Sequence, residues 1–120
     1  MAGPIISLLL TPNPASGNIT ADGTEQTLAS ATAVSGTFMP RVNLANMVDG
    51  DVVELRGYTK ANGSDTEGLC WYLSFANKQS DVLPLLPTIA TAEDIKITLK
   101  EIPTAGHHTY QWSVLNLNGA

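Results

Sequence analysis

The chain has 120 residues, of which only 14% are charged, and it carries a formal net charge of −5. This length suits one domain with a hydrophobic core, and six scattered basic residues argue against binding to nucleic acid, which requires clustered Lys and Arg. The single cysteine, Cys70, excludes an intrachain disulfide, and we expect it to be a buried thiol within a strand.

The N-terminal segment is aliphatic over residues 5–10 and is followed by Pro12 and Pro14, which cannot donate hydrogen bonds to a continuing strand. The segment is too short to span a membrane, and it lacks the basic region of a signal peptide. We predict that residues 1–18 form an arm or edge strand that docks on another surface, and that residues 19–120 form one β-sandwich domain.

Turn-forming residues separate short extended stretches in the first part of that domain. The dipeptide Asp22-Gly23 lies between two such stretches, which is typical of a hairpin or a bulge. Small, hydroxyl-rich side chains over residues 25–32 predict a strand at the margin of a sheet. Pro40 interrupts the next stretch, which predicts an edge or a bulge there.

The pattern over residues 42–58 predicts a strand, a sharp reversal and a second strand, and we expect the rest of the chain to be arranged around it. Residues 44–48 are predicted to form one helical turn. Residues 49–51 have the sequence Asp-Gly-Asp, in which the glycine can adopt the positive φ of a sharp reversal. Val53 and Leu55 then alternate with polar residues, as in a strand that buries one face.

Three later stretches alternate large apolar and polar side chains, and each predicts a strand that contributes to the core. They span residues 69–75, 95–99 and 110–114. The first contains the largest side chains, so we predict that Trp71→Ala is the most damaging single substitution, at about 3–5 kcal/mol. The predicted core comprises Phe38, Val53, Leu55, Leu69, Trp71, Leu73, Phe75, Ile95, Ile97, Leu99, Trp112 and Val114.

These features together predict an all-β fold, because the strands are short, turns are frequent and no stretch sustains a helical period. We expect a single-domain antiparallel β-sandwich or jelly-roll-like barrel with Pro/Gly-rich loops and an extended N-terminal arm. Residues 82–87 are extended, apolar and bounded by proline, so they cannot form a central strand. Exposed, they would form an apolar patch that another subunit covers.

No group of residues in the sequence predicts catalysis, a metal or a cofactor, and we expect the protein not to be an enzyme. Asp49, Asp51 and Glu54 are interpreted as turn residues and a solvated strand face rather than as paired catalytic carboxylates. The pair His107-His108 has no carboxylate or cysteine beside it at a metal-ligand spacing. Adjacent side chains on an extended chain also point in opposite directions, so we expect no metal there.

Aromatic side chains leave carbohydrate binding open as an alternative, because Trp71, Tyr72, Tyr110 and Trp112 could offer stacking faces to a sugar. The alternation of residues favours core positions for the two tryptophans. It places Tyr58 and Tyr72 on the opposite face, where we expect them to be partly exposed.

Four stretches of strand and turn are distinctive: TADGTEQTL at 20–28, VNLANM at 42–47, DGDVVELR at 49–56 and ITLK at 97–100. Together they resemble small β-sandwich structural proteins of tailed bacteriophage virions, a group that includes capsid decoration or cement proteins. The resemblance covers most of the chain from about Ile19 onward, and it includes no chemical motif.

The resemblance implies an auxiliary virion protein that is made in the host cytoplasm without a signal peptide and binds the outside of an assembled capsid. Its partners would be the major capsid protein and copies of itself in a homo-oligomer, with no nucleic acid or membrane partner. A carbohydrate-binding or host-attachment module on a virion is the alternative, with a glycan as its partner. From the composition of the chain, the residues expected at the subunit or capsid interface are Ile5, Ile6, Leu8, Leu9, Leu10, Val82, Leu83, Leu85 and Leu86.

Overall fold

The chain folds into eight β-strands, and the computed structural model describes residues 16–104 and 106–117. The strands are β1 (Ser16–Thr20), β2 (Gln26–Ala31), β3 (Gly36–Val42), β4 (Val52–Thr59), β5 (Gly68–Ala76), β6 (Ile89–Thr91), β7 (Ile95–Ile102) and β8 (Thr109–Asn116). Within the described residues no helix is found that could cross a membrane. The predicted interface residues Ile5, Ile6, Leu8, Leu9 and Leu10 lie outside the described part of the chain.

The strands form two four-stranded sheets, which we call sheet A (order β1-β8-β3-β6) and sheet B (order β2-β7-β4-β5). All neighbouring strands are antiparallel. The pairs β1–β8, β2–β7, β3–β6 and β4–β5 each join a strand from the first half of the chain to one from the second half. The chain is therefore one long antiparallel ribbon wrapped into two sheets, which is a jelly roll. This confirms the predicted antiparallel β-sandwich or jelly-roll-like architecture.

Residues 43–51 carry the chain from β3 in sheet A to β4 in sheet B. The sequence pattern predicts a strand, a sharp reversal and a second strand over this region. Two β-turns make this connection: the amide of Met47 donates to the carbonyl of Leu44 at 3.1 Å, and the amide of Asp51 donates to Val48 at 3.0 Å. The prediction of a helical turn over 44–48 is therefore wrong. Gly50 has a φ of +99°, the left-handed conformation for which glycine is favoured.

The turn at Asp22-Gly23 also connects the two sheets, because β1 lies in sheet A and β2 in sheet B. It is therefore not the turn of a hairpin. The Asp22 carboxylate closes the turn by accepting from the amide of Thr24 at 2.9 Å, and Gly23 has a φ of +85°. The following strand, β2, is an outer strand of sheet B, which agrees with the prediction that residues 25–32 form a strand at the margin of a sheet.

The core lies between the two sheets. Of the residues predicted for it, eight are buried: Phe38, Val53, Leu55, Ile95, Ile97, Leu99, Trp112 and Val114. Trp71, Leu73 and Phe75 are partly buried and pack against these residues. The largest fully buried side chain is that of Tyr110, not that of Trp71. Trp71 keeps some exposure because β5 is an outer strand, so its burial does not support the prediction that Trp71→Ala is the most damaging substitution.

The beginning of β5 departs from the predicted alternation. The register of β5 against β4 shifts between Gly57 and Tyr58, so that Leu69 pairs with Tyr58. Because of this irregularity, Leu69 lies outside the core and is 57% exposed. Cys70 is also exposed, so the expectation of a buried thiol is wrong.

Two strand boundaries bear on the predicted domain division and on Pro40. β1 begins at Ser16, so residues 16–18, which the sequence pattern assigns to an N-terminal arm or edge strand, pair with β8 at the edge of sheet A. β6 pairs only with residues 36–38 of β3, which leaves β3 without a strand on that side at Pro40. Pro40 therefore lies at an edge, as its missing amide donor predicts.

Candidate functional site

The outer surfaces of the two sheets differ in charge. The strands of sheet A, all of which the structure describes in full, contain one charged residue, Arg41. The strands of sheet B contain five charged residues: Glu54, Arg56, Lys96, Lys100 and Glu101. Four of these five lie on the outer face of sheet B, and only Glu101 is buried.

Three of the four charged strand residues on the outer face of sheet B are held in local pairs. Arg56 Nη2 lies 3.1 Å from Glu54 Oε1, and its guanidinium group lies 4.7 Å from the centre of the Tyr72 ring. Lys96 Nζ lies 2.9 Å from Glu67 Oε1. The side chains of both pairs are partly exposed, and a partner that covered them would have to remove charged groups from water at a large cost.

Glu25 extends this network over the same face. Its carboxylate accepts hydrogen bonds from the Tyr58 hydroxyl and, at 2.7 Å, from the Thr98 hydroxyl. Burial alone would raise the pKa of Glu25, but these hydrogen bonds and the nearby charges of Arg56 and Lys96 outweigh it, so the pKa is lowered. Glu25 is therefore held in its charged form.

Sheet A carries a different surface, which we call the apolar strip. Met39 of β3 pairs with Leu115 of β8, and Met39 also lines a cavity with Leu83 and Leu85. Leu85 is 86% exposed, and Leu83 and Leu117 are each 51% exposed. The apolar strip comprises Met39, Leu83, Leu85, Leu115 and Leu117. It is a set of apolar side chains on a face whose strands carry one charge, that of Arg41, which lines the same cavity; such a surface is the kind that marks an interaction site.

The loop that carries Leu83 and Leu85 is anchored on both sides of them. The amide of Leu44 donates to the carbonyl of Val82 at 2.7 Å, and the side chain of Leu86 is buried. Val82 and Leu86 therefore fix the loop on the domain, while the alternate leucines project outward. The predicted interface segment divides accordingly: Leu83 and Leu85 are available to a partner, whereas Leu86 belongs to the core.

A second cluster lies inside the sandwich where β4 begins and β7 ends. It consists of Asp51, Glu101, His108 and Tyr110, and the two carboxylic residues are fully buried. His108 Nδ1 lies 2.9 Å from Glu101 Oε2 and 3.3 Å from Asp51 Oδ2. The Tyr110 hydroxyl donates to Glu101 Oε2. The connection between β7 and β8 is thus bound to the turn that precedes β4.

Backbone amides also orient the two buried carboxylates. Asp51 accepts from the amides of Val48 at 2.9 Å and Thr104 at 2.8 Å, and Glu101 accepts from the amide of His108 at 3.3 Å. Burial alone would raise the pKa of Asp51, but these hydrogen bonds and the neighbouring His108 lower it overall. Both carboxylates are therefore held in fixed positions.

Burial, together with its hydrogen bond to Glu101, raises the pKa of the Tyr110 hydroxyl far above its usual value. Tyr110 is therefore held as a neutral hydrogen-bond donor to that carboxylate.

The structure contradicts the prediction that the side chains of His107 and His108 point in opposite directions. His107 Nδ1 lies 3.5 Å from Glu101 Oε1, while His108 Nδ1 approaches the other oxygen of the same carboxylate. The two rings therefore do not point apart but meet one carboxylate from the turn after β7. The interpretation of Asp51 as a turn residue is correct, but this residue is also buried and bound to His108, which its position in the sequence did not indicate.

The aromatic residues that could have formed a sugar-binding face do not form one among the described residues. Trp112 and Tyr110 are buried, and Trp71 packs against the core. Tyr72 is 45% exposed, but Arg56 lies over its ring. Tyr58 is half-buried beneath Lys96, at 4.5 Å from its ring centre.

The fold is an eight-stranded jelly roll. Within the described residues, neither the outer faces of the two sheets nor the buried cluster contains a recognised set of catalytic residues. No protein-family model matches the chain, and no curated protein matches its sequence. Among solved structures, the chain is similar to one in the VP2 subviral particle of infectious bursal disease virus, with 18% identity and a TM-score of 0.48. It is also similar to one in the Gx strain of that virus, with 14% identity and a TM-score of 0.47.

Each of these two matches covers 82% of this chain and 28% of the viral chain. This chain thus spans less than a third of the viral chains. TM-scores below 0.5 at such low identity establish neither a common function nor common partners.

Proposed function

We propose that this chain is a structural protein of a virion, and specifically a decoration or cement protein that binds an assembled capsid and bridges its subunits. The observation that carries the proposal is the apolar strip on the nearly uncharged face of sheet A. The jelly-roll fold, which recurs in capsid domains, and the resemblance of four stretches to phage virion proteins are consistent with it. The proposed partners are the major capsid protein and other copies of this chain.

The strip suits such binding energetically. Burying one exposed leucine contributes on the order of 1.5–3 kcal/mol, so Leu83 and Leu85 alone would give only a modest single contact. A symmetric shell repeats that contact many times, and an oligomer that engages several sites at once gains avidity without a strong individual site. No catalysis is part of the proposal.

The alternative of a carbohydrate-binding module receives no support from the aromatic residues. Stacking on a sugar requires an accessible ring face, and the exposed Tyr72 ring already has Arg56 packed on it at 4.7 Å.

Leu85→Ser tests the proposal, and Leu69→Ser is its matched control. Leu85 lies in the strip, and Leu69 is another exposed leucine, 57% accessible, at the start of the outer strand of sheet B. Neither substitution removes a buried side chain, so both variants are expected to fold. The measurements are native mass spectrometry of the purified proteins and co-sedimentation with capsids that lack this protein.

We expect the unmodified chain to form an oligomer or to co-sediment with capsids, Leu85→Ser to weaken this at least about tenfold, and Leu69→Ser to leave it unchanged. Equal losses in both variants would show that the strip is not the binding surface. A chain that neither oligomerises nor binds capsids would refute the proposed function.

A further inference from the structure

We propose that Asp51, Glu101 and His108 form a binding site for a divalent transition-metal ion, with zinc as the best fit. The three side chains offer one nitrogen and two carboxylate oxygens, all within 4.8 Å of one another. This site is separate from the apolar strip and does not depend on the proposed function.

The spacing of the His108 nitrogen from each carboxylate fits tetrahedral zinc. With metal–ligand bonds of about 2.0 Å, two ligands of a tetrahedron lie about 3.3 Å apart. His108 Nδ1 lies 2.9 Å from one carboxylate oxygen and 3.3 Å from the other. An ion would therefore take the place of the proton that Nδ1 now shares with the carboxylates, and that proton would pass to solvent.

The charge of the cluster also favours a cation. Asp51 and Glu101 are both fully buried, and the only basic side chains of the described residues within ion-pair distance of them are the two histidines. Two buried carboxylates near each other are costly unless positive charge compensates them. A divalent ion would neutralise both, whereas a protonated imidazole neutralises one.

The ligands are already fixed in position, as in established metal sites. Backbone amides of Val48 and Thr104 hold Asp51, and the Tyr110 hydroxyl holds Glu101. The His108 side chain is 23% exposed, so an ion can reach the cluster from solvent. His107 Nδ1 lies 3.5 Å from Glu101 Oε1, the other oxygen of that carboxylate, so a water molecule would supply the fourth ligand.

The test uses the full chain with Cys70→Ser, because the exposed thiol of Cys70 could bind zinc independently. The protein is stripped with a chelator and then titrated with zinc chloride while its thermal unfolding and binding heat are measured. We expect one site per chain and a rise in Tm of roughly 10 °C at zinc about 100-fold above the dissociation constant. Cobalt should give the visible spectrum of a tetrahedral site.

His108→Asn should abolish both the rise in Tm and the cobalt spectrum. If that variant does not fold, Glu101→Gln serves the same purpose. The zinc titration of the Cys70→Ser chain, in which all three ligands are intact, tests the proposal without either variant. Absence of binding heat and of any rise in Tm in the Cys70→Ser chain would overturn the proposal. An equal rise in a folded ligand variant would also overturn it.

Discussion

Gly57 in β4 is a position at which one added methyl group should do large harm for its size. A Cβ atom there would lie 2.5 Å from Trp71 Nε1, 2.6 Å from Trp71 Cε2 and 2.7 Å from Ile89 Cδ1. Ordinary contacts begin near 3.4 Å, so two core side chains would have to move by almost 1 Å. Overpacking of this kind costs about 1–3 kcal/mol, and we expect Gly57→Ala to lower the Tm by roughly 4–10 °C.

The matched control is Gly68→Ala, at the start of β5. No atom lies within 4 Å of a Cβ at Gly68, so this substitution should change stability by less than about 0.5 kcal/mol. Urea unfolding followed by tryptophan fluorescence measures both variants. If Gly57→Ala were as stable as Gly68→Ala, the packing of the Trp71 indole over β4 would be wrong.

Three further predictions concern polar groups and the cysteine. Tyr110→Phe removes a buried donor to Glu101 and should lower the free energy of unfolding by about 1–3 kcal/mol in urea, and an unchanged urea midpoint would contradict that hydrogen bond. The pKa of Glu25 is lowered in the folded state, so its contribution to stability is present above the unfolded-state pKa and is lost as the pH falls through the folded-state pKa. Tyr58→Phe removes a hydrogen bond to Glu25 and should make this loss of stability smaller. The measurement is the free energy of unfolding from about pH 7 down to about pH 3. Cys70 should react with a thiol reagent in the native protein at nearly the rate of the unfolded chain, and protection from the reagent would contradict its exposure.

The strands that alternate cleanly in the sequence are found where the alternation predicts them. Ile95, Ile97 and Leu99 are buried, and they lie in β7, which pairs with a strand on each side. The error at Leu69 has a different origin: a shift of register in the pairing with β4 moves this residue out of the core. Such a shift depends on the partner strand, and the sequence of β5 alone contains no sign of it.

For a related reason, the buried cluster around Asp51 and Glu101 cannot be predicted from sequence patterns. Asp51 and Glu101 are separated by fifty positions, and each lies among turn or strand residues in which a carboxylate is ordinarily solvated. Only the pairing of β4 with β7 brings Val53 opposite Glu101 and so places the two acids near each other. The histidine pair was visible, but its carboxylates were not adjacent in the sequence. A metal site whose ligands follow a short spacing in the sequence can be predicted from that spacing. A site whose ligands are brought together only by the order of strands in a sheet cannot.

The difference in charge between the two sheets determines which face of the molecule can be covered at low cost. A partner on sheet B would have to desolvate the Glu54–Arg56 pair and the Lys96–Glu67 pair, whereas a partner on sheet A would meet Arg41 as the only charge of its strands. Binding through sheet A leaves the charged face in water. In the proposed role on a capsid, this asymmetry lets one face adhere while the charged face stays in water.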